Sequence, residues 1–233
     1  MSPPNRRRAP SGEKSKNEPR RSDVVVPPWG LAAVLRAPRD PLGLVVFAHG
    51  SGSSRFSPRN VAVAEALGQA GFATLLFDLL TRREEEDRAN VFDIALLAER
   101  LVGAAAWETR EPSLSQLPLG LFGASTGAAA ALVAAARMPD RVRAVVSRGG
   151  RPDLASADLP KVRAPTLLIV GGDDDVVIRL NQQAKARMTA RCELQIVPGA
   201  THLFPEPGAL ESVIRLASAW FSRHLAPAFG NPC

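Results

Sequence analysis

Residues 119–127 read Leu-Gly-Leu-Phe-Gly-Ala-Ser-Thr-Gly, an apolar run that ends in a serine flanked by small residues. The last five fit Gly-x-Ser-x-Gly, with Ser125 at the centre, and an alanine-rich segment, Ala128 to Arg137, follows at once. A strand that turns this sharply into a helix crowds its own backbone, so only small residues fit beside the serine. The result is a hydroxyl held at the strand's carboxyl end beside the first N–H groups of a helix, the arrangement of a nucleophile elbow. A serine is a poor nucleophile at neutral pH. It needs a base within hydrogen-bond reach, a carboxylate to orient and stabilise the charged base, and two backbone donors for the oxyanion.

The chain has three histidines to offer: His49, His202 and His224. His224 falls near the end of a closing helical segment and is expected on the surface. His49 precedes the loop Gly50-Ser51-Gly52, which it is expected to shape from the border of the substrate site. His202 is left as the base. The carboxylate comes from the run Asp173-Asp174-Asp175. Three adjacent buried carboxylates would repel one another and lose their water, so one enters the site and the others cap the next helix. Physics alone leaves the choice among the three open. For the oxyanion the expected donors are the backbone N–H groups of Thr126 and Ser51. Arg55, Arg59, Arg148 and Arg151 all fall in segments that should border the site. Either they grip an anionic acyl or phosphate-bearing substrate, or they pair with Asp78, Asp153 or surface acids and serve structure only.

These residues need a scaffold that brings them together. Val24–Val26 and Leu31–Arg36 read as short, irregular strands broken by Pro27 and Pro28. Leu44–Ala48, Phe72–Leu80, Leu119–Gly123, Val142–Ser147, Thr166–Val170 and Glu193–Val197 read as further strands. Helices are expected over Pro58–Ala70, Val91–Ala106, the segment after Ser125, Val177–Thr189 and Leu210–Leu225. In the second of these, Ile94, Leu97, Leu101 and Ala105 are spaced to cover one face. Arg82–Arg88 reads as a charged, solvated loop. This alternation predicts an α/β fold, a mostly parallel sheet with helices on both faces. In such a sheet chemistry gathers at the strands' carboxyl ends, where the serine, aspartate and histidine segments and the Gly50 loop all fall. About 18 residues separate the Val142 strand from the Thr166 strand, too few for a cap domain.

The chain has 233 residues, 45% of them apolar, enough for one domain with a sizeable core. Residues 1–23 carry seven Lys/Arg against three acids, and the rest carries 22 against 20. The reading is a disordered basic, Pro-rich arm over 1–23, a nearly neutral domain over 24–226 and a tail over 227–233. A net charge of +6 that lies mostly in an arm does not mark a specific nucleic-acid binder. No apolar run reaches the ~18 residues of a membrane span, and the arm has no apolar signal core. The only cysteines, Cys192 and Cys233, form no disulfide framework and suit a reducing, cytoplasmic setting, with both as bystanders. No His/Cys/Asp cluster has metal-ligand spacing, so neither metal nor organic cofactor is expected. The expected partner is a small acyl substrate, and the chain is expected to be a monomer or homodimer.

With those residues in place the chain resembles an α/β-hydrolase of the dienelactone hydrolase type. More closely, it is similar to small bacterial hydrolases often fused to a phosphoribosyltransferase domain. The resemblance rests on His49-Gly50-Ser51-Gly52-Ser53-Ser54-Arg55, Ser57-Pro58-Arg59-Asn60, Leu75 to Leu80, Gly123 to Gly127, Ser147 to Pro152, Val170-Gly171-Gly172 and Gly199 to Phe204. It runs from about residue 24 to 226. The family pattern Gly-Gly-x-Asp-x-x-Val falls on Gly171, Gly172, Asp174 and Val177, so the resemblance picks Asp174. It implies a Ser125–His202–Asp174 triad and hydrolysis of a small carboxylic ester, thioester or lactone. Dienelactone hydrolases proper carry cysteine where this chain has Ser125, which favours an ester or thioester. Phe56 stands where a polar residue or histidine is expected at the site entrance. The reading from another class is a hydrolase-fold protein without turnover, serving as a binding or scaffold module.

Overall fold

The structure, a computed structural model, describes residues 19–108 and 114–226. Most of the expected arm, the tail and Cys233 lie outside the described residues. Elements follow in chain order as β1 (Arg20–Val26), β2 (Leu31–Ala37), β3 (Leu44–Ala48), α1 (Pro58–Gln69) and β4 (Ala73–Phe77). Next come α2 (Arg82–Glu85), α3 (Arg88–Phe92), α4 (Ile94–Glu108), β5 (Leu119–Ala124), α5 (Thr126–Arg137) and β6 (Val142–Arg148). After two short 3-10 turns, β7 (Thr166–Gly171), α6 (Asp175–Arg187), β8 (Cys192–Val197) and α7 (Ala209–Leu225) complete the domain.

The strands form one eight-stranded sheet in the order β1-β2-β4-β3-β5-β6-β7-β8. β1–β2 and β2–β4 pair antiparallel, and every later pair is parallel. The first two strands are more regular than their prolines suggested. They pair continuously from Arg20 opposite Ala37 to Val26 opposite Leu31, because Pro27 and Pro28 sit in the connecting turn. The first strand therefore starts at Arg20, four residues before the expected domain boundary.

β3, β4, β5 and β7 are buried along their whole length, which their continuous apolar runs require. Alternate side chains serve opposite faces. Val46 joins the core under α4 and α5, whereas Val45 and Phe47 join the core under α1 and α7. α5 is buried from Thr126 to Ala135, and its alanines let it lie close to the sheet. α7 packs Val213, Ala217, Trp220 and Phe221 inward. A Cβ added at Gly120 would lie 2.7 Å from Phe221, so the bare strand makes room for that ring. Burying such an aromatic side chain is worth about 1.5–3 kcal/mol.

Arg82–Arg88 is solvated, with all but Glu84 exposed, but it is largely helical rather than a loop. Thr81 and Glu84 form a reciprocal capping box that starts α2. The side chain of Asp87 caps α3 by accepting the Ala89 N–H. Glu84 then pairs with buried Arg100 of α4 at 2.7 Å, and Arg100 stacks 4.1 Å above the Trp29 ring. α4 begins at Ile94 rather than Val91, because Asp93 leaves helical geometry and accepts the Leu96 N–H at 3.0 Å. Its buried face carries Leu97, Leu101 and Ala105, with Ile94 partly covered. Between β6 and β7 there are only the 3-10 turns Pro152–Ala155 and Leu159–Lys161, so no cap domain covers the sheet's carboxyl end there. Among the described residues no helix is long and apolar enough to cross a membrane.

Candidate active site

Ser125 sits between β5 and α5 with φ 51° and ψ −120°, a conformation that side-chain-bearing residues rarely adopt. Its two neighbouring glycines are dictated by contact. A Cβ at Gly123 would stand 2.4 Å from Ala128 Cα, and one at Gly127 would stand 2.3 Å from the carbonyl oxygens of Ala48 and His49. Three backbone bonds hold the strained turn. The Ser125 N–H donates to the Arg148 carbonyl at 3.2 Å, and the Ser125 carbonyl accepts from Arg151 and Ala128, each at 3.1 Å.

The acid and histidine loops are tied to each other. The N–H of Gly172 donates to Val197 and that of Asp173 to Ala200, at 2.8 and 2.9 Å. Asp174 occupies the N-cap position of α6 but makes no capping bond with its side chain. Its Oδ2 instead meets His202 Nδ1 at 2.7 Å, leaving Nε2 of the ring for a reacting proton. The structure thus distinguishes the three aspartates. Asp174 is half-buried against the histidine, Asp175 lies exposed in the first turn of α6, and Asp173 is exposed outside it. His202 lies against the loop that follows β6: a Cβ at Gly149 would lie 3.6 Å from His202 Cε1. Among the described residues, the Ser125 hydroxyl has no hydrogen-bond partner.

Of the two expected oxyanion donors, the Thr126 N–H opens α5 and has no acceptor among the described residues. The Ser51 N–H donates to Thr126 Oγ1 at 2.9 Å. Thr126 therefore touches the site twice, by backbone and by side chain. Sequence reasoning assigned its backbone alone. Gly50 brings this loop against the nucleophile, since a Cβ there would lie 3.1 Å from Ser125 Cβ.

His49 is buried, and its ring joins two backbone segments. Nδ1 faces the Gly50 carbonyl at 3.0 Å, and Nε2 accepts the Leu79 N–H at 3.1 Å. Burial holds its pKa below the ordinary histidine value. That pattern fits a neutral ring that shapes the loop. His224, expected on the surface, is half-buried and stacks on Trp220 with ring centroids 4.4 Å apart. Cys192 opens β8, and burial pushes its thiol up to about 11, so it stays protonated.

The four arginines divide. Arg55 pairs with Asp78 through both backbone and side chain, and stacks 4.1 Å over exposed Phe56. Arg151 grips Asp153 with two bonds of 2.9 and 2.8 Å. Arg148 is buried and donates only to Asn60 Oδ1 at 3.4 Å, and half-buried Arg59 has no acid partner among the described residues. Beside the Ser51 loop a cavity of about 460 Å³ is walled by His49, Leu79, Leu80, Val91, Phe92 and Leu97, with Glu85 and Arg88 at its polar side. Sequence reasoning missed this wall, which α3 and α4 supply. Its signal was present in the capping residues Thr81, Glu84 and Asp87.

Known proteins match this chain in sequence and fold. A crystal structure of a dienelactone hydrolase from Anabaena variabilis is 56% identical, with a TM-score of 0.86, and covers 89% of this chain and 99% of that one. Est1E from Butyrivibrio proteoclasticus shares the fold at 16% identity and a TM-score of 0.73, over 86% of this chain and 98% of its own. A Mycobacterium tuberculosis protein named a putative phosphoribosyl transferase is 62% identical over 202 residues, which is 87% of this chain. The match spans 46% of that relative, so the chain corresponds to about half its length. The family model for dienelactone hydrolases matches residues 31–220, which include the elbow, both loops that carry its partners and the sheet that holds them, and the chain belongs to the dienelactone hydrolase family.

Proposed function

We propose that the chain is a serine hydrolase that cleaves a small carboxylic ester, thioester or lactone through an acyl-enzyme on Ser125. The observation that carries this reading is the 2.7 Å contact of His202 with Asp174, together with a serine held in a strained elbow. In the reaction the Ser125 hydroxyl gives its proton to His202 Nε2 as the oxygen attacks the acyl carbon. The imidazolium is stabilised by Asp174 through Nδ1. The oxyanion takes the Thr126 N–H and the Ser51 N–H, the latter shared between Thr126 Oγ1, which keeps it in place, and the new acceptor. As the tetrahedral adduct collapses, His202 passes the proton to the departing alkoxide or thiolate. Water then repeats the sequence on the acyl-enzyme and frees the acid. The cavity beside the Ser51 loop supplies an apolar wall for one arm of the substrate. The dienelactone hydrolase name of the Anabaena relative supports hydrolysis of an ester-type bond, and serine in place of cysteine favours an open ester or thioester.

A fluorophosphonate probe tests the reading on the wild type, Ser125→Ala and His202→Ala, with p-nitrophenyl esters assayed in parallel. Labelling of the wild type alone is expected, with ester turnover falling about 10⁴-fold or more in either variant. The Ser51 N–H already engaged by Thr126 favours one other reading, a binding module of the same fold without turnover. A folded wild type that resists the probe selects that module.

A further inference from the structure

Two of the arginines that border the site are neutralised, and two are not. Arg55 and Arg151 each hold a carboxylate. Arg148 is 6% exposed, and its one side-chain bond among the described residues is the 3.4 Å contact with Asn60. Its Nε is sealed from solvent without an acceptor, and so is the Nε of Arg59. Neither guanidinium joins an ion pair among the described residues. Burial, and then the like charge of Arg59, push the Arg148 guanidinium down to about 10.

The backbone adds to this positive field. Arg59 and Asn60 lie in the first turn of α1, a twelve-residue helix with no acid in that turn. Its N-cap, Ser57, makes no side-chain capping bond. The amino end of a helix attracts anions and repels cations, so an arginine there is misplaced unless an anion joins it. A buried guanidinium without a counter-charge is likewise costly. Three sources of positive potential therefore meet with no acid among them.

Their location ties them to the reaction centre. The Arg148 carbonyl accepts the Ser125 N–H, and its guanidinium carbon lies 5.9 Å from the ring of Phe204, two residues past His202. The cluster occupies the side of α1 and α7, whereas the apolar cavity is walled by α3 and α4. Arg59 is only half-buried, which leaves an approach from solvent.

We propose that Arg59, Arg148 and the open first turn of α1 form a subsite for a phosphate dianion carried by the substrate, with Asn60 orienting Arg148. Two guanidinium groups match a dianion, and their forked donors suit its tetrahedral oxygens. A single carboxylate would leave one of the two cations uncompensated. The link from this subsite to the substrate rests on the hydrolase reading of Ser125, but binding of phosphate itself does not.

Calorimetric titration of inorganic phosphate, and separately of acetate, into the full chain above neutral pH tests the subsite. One-site, saturable phosphate binding is expected, at least about ten-fold tighter than acetate. Arg59→Gln and Arg148→Met should each weaken it about ten-fold or more, while Arg151→Gln binds as the wild type does. The Arg59 variant alters a half-buried side chain and keeps the test decisive if Arg148→Met does not fold. Ser125→Ala should bind phosphate normally although it turns over no ester. Absence of saturable binding, equal affinity for acetate, or indifference to Arg59→Gln overturns the subsite. A wild type that binds phosphate as described but resists the fluorophosphonate sustains the subsite and overturns the hydrolase reading. The converse result does the reverse.

Discussion

Thr126 carries two roles in one residue. Its N–H has no acceptor among the described residues, while its hydroxyl holds the Ser51 N–H at 2.9 Å and so restrains the loop that carries the second donor of the proposed oxyanion site. The loop Gly50-Ser51-Gly52 has few other restraints, since Ser51 and Gly52 are exposed. Losing one neutral hydrogen bond costs about 0.5–1.5 kcal/mol, which converts to at most about ten-fold in rate. Thr126→Val keeps the shape and removes the acceptor. Ester hydrolysis should then show kcat reduced by up to about ten-fold with KM little changed, because the donor acts on the transition state rather than on the bound ester. Thr126→Ser should restore most of the rate. A Val variant with unchanged kcat, or a loss confined to KM, would remove Thr126 from the oxyanion machinery. Ser125 and His202 stood out in the sequence, because small residues must flank an elbow serine and the chain has few histidines; the structure places Ser125 in such a turn and His202 against Asp174. Asp174 was not legible from physics alone: Asp173, Asp174 and Asp175 differ by single steps, and only the closed loop shows which one reaches His202.

At the scale of elements, the sheet was legible because its central strands are continuous apolar runs. The wall of the cavity was not. Arg82–Arg88 is rich in charge, and charge reads correctly as solvent exposure but gives no sign of a helix. What gives the segment structure is local capping at Thr81, Glu84 and Asp87, together with one long-range partner, Arg100. Glu84 thus serves α2 internally and α4 externally. Removing it breaks the capping box and leaves Arg100, with a side chain only 8% exposed, held by the Trp29 ring alone. Glu84 is partly solvated, so the cost is set below that of a fully buried pair, at about 1–3 kcal/mol. Glu84→Ala should therefore lower the urea midpoint by a matching amount. It should also raise KM for esters with a long acyl arm more than for acetyl esters, since α3 loses its support. Equal KM changes for short and long esters would detach α2 and α3 from substrate binding. The β1–β2 hairpin shows the opposite error of reading. Pro27 and Pro28 suggested broken strands, yet they lie in the turn, where no ladder bond is needed from them.

For the molecule as a whole, two histidines rather than net charge make the fold sensitive to acid in the range just below pH 6.5. Outside the first 23 residues the chain carries 22 basic and 20 acidic side chains, so global repulsion is small near neutrality. His49 and His224 both have folded pKa values below the ordinary 6.5. For His49 the cause is burial, opposed by the Gly50 carbonyl and nearby acids. For His224 it is burial and then the charges of Arg191 and Arg223. A base with a depressed folded pKa binds fewer protons in the native state than in the unfolded chain. Its contribution to stability is therefore complete above about pH 6.5 and is lost as pH falls through the folded value, at about 1.4 kcal/mol per unit of depression. Protonated His49 would also turn a second N–H toward the Leu79 N–H that Nε2 now accepts, so the Ser51 loop and the end of β4 would loosen together. The urea midpoint should hold steady above pH 6.5 and fall as the solution is acidified below it. His49→Gln, which keeps an acceptor without a titrating ring, should flatten part of that fall, and His224→Gln a smaller part because its ring is less buried. A midpoint that rises on acidification, or a slope that neither substitution changes, would place the acid sensitivity elsewhere in the molecule.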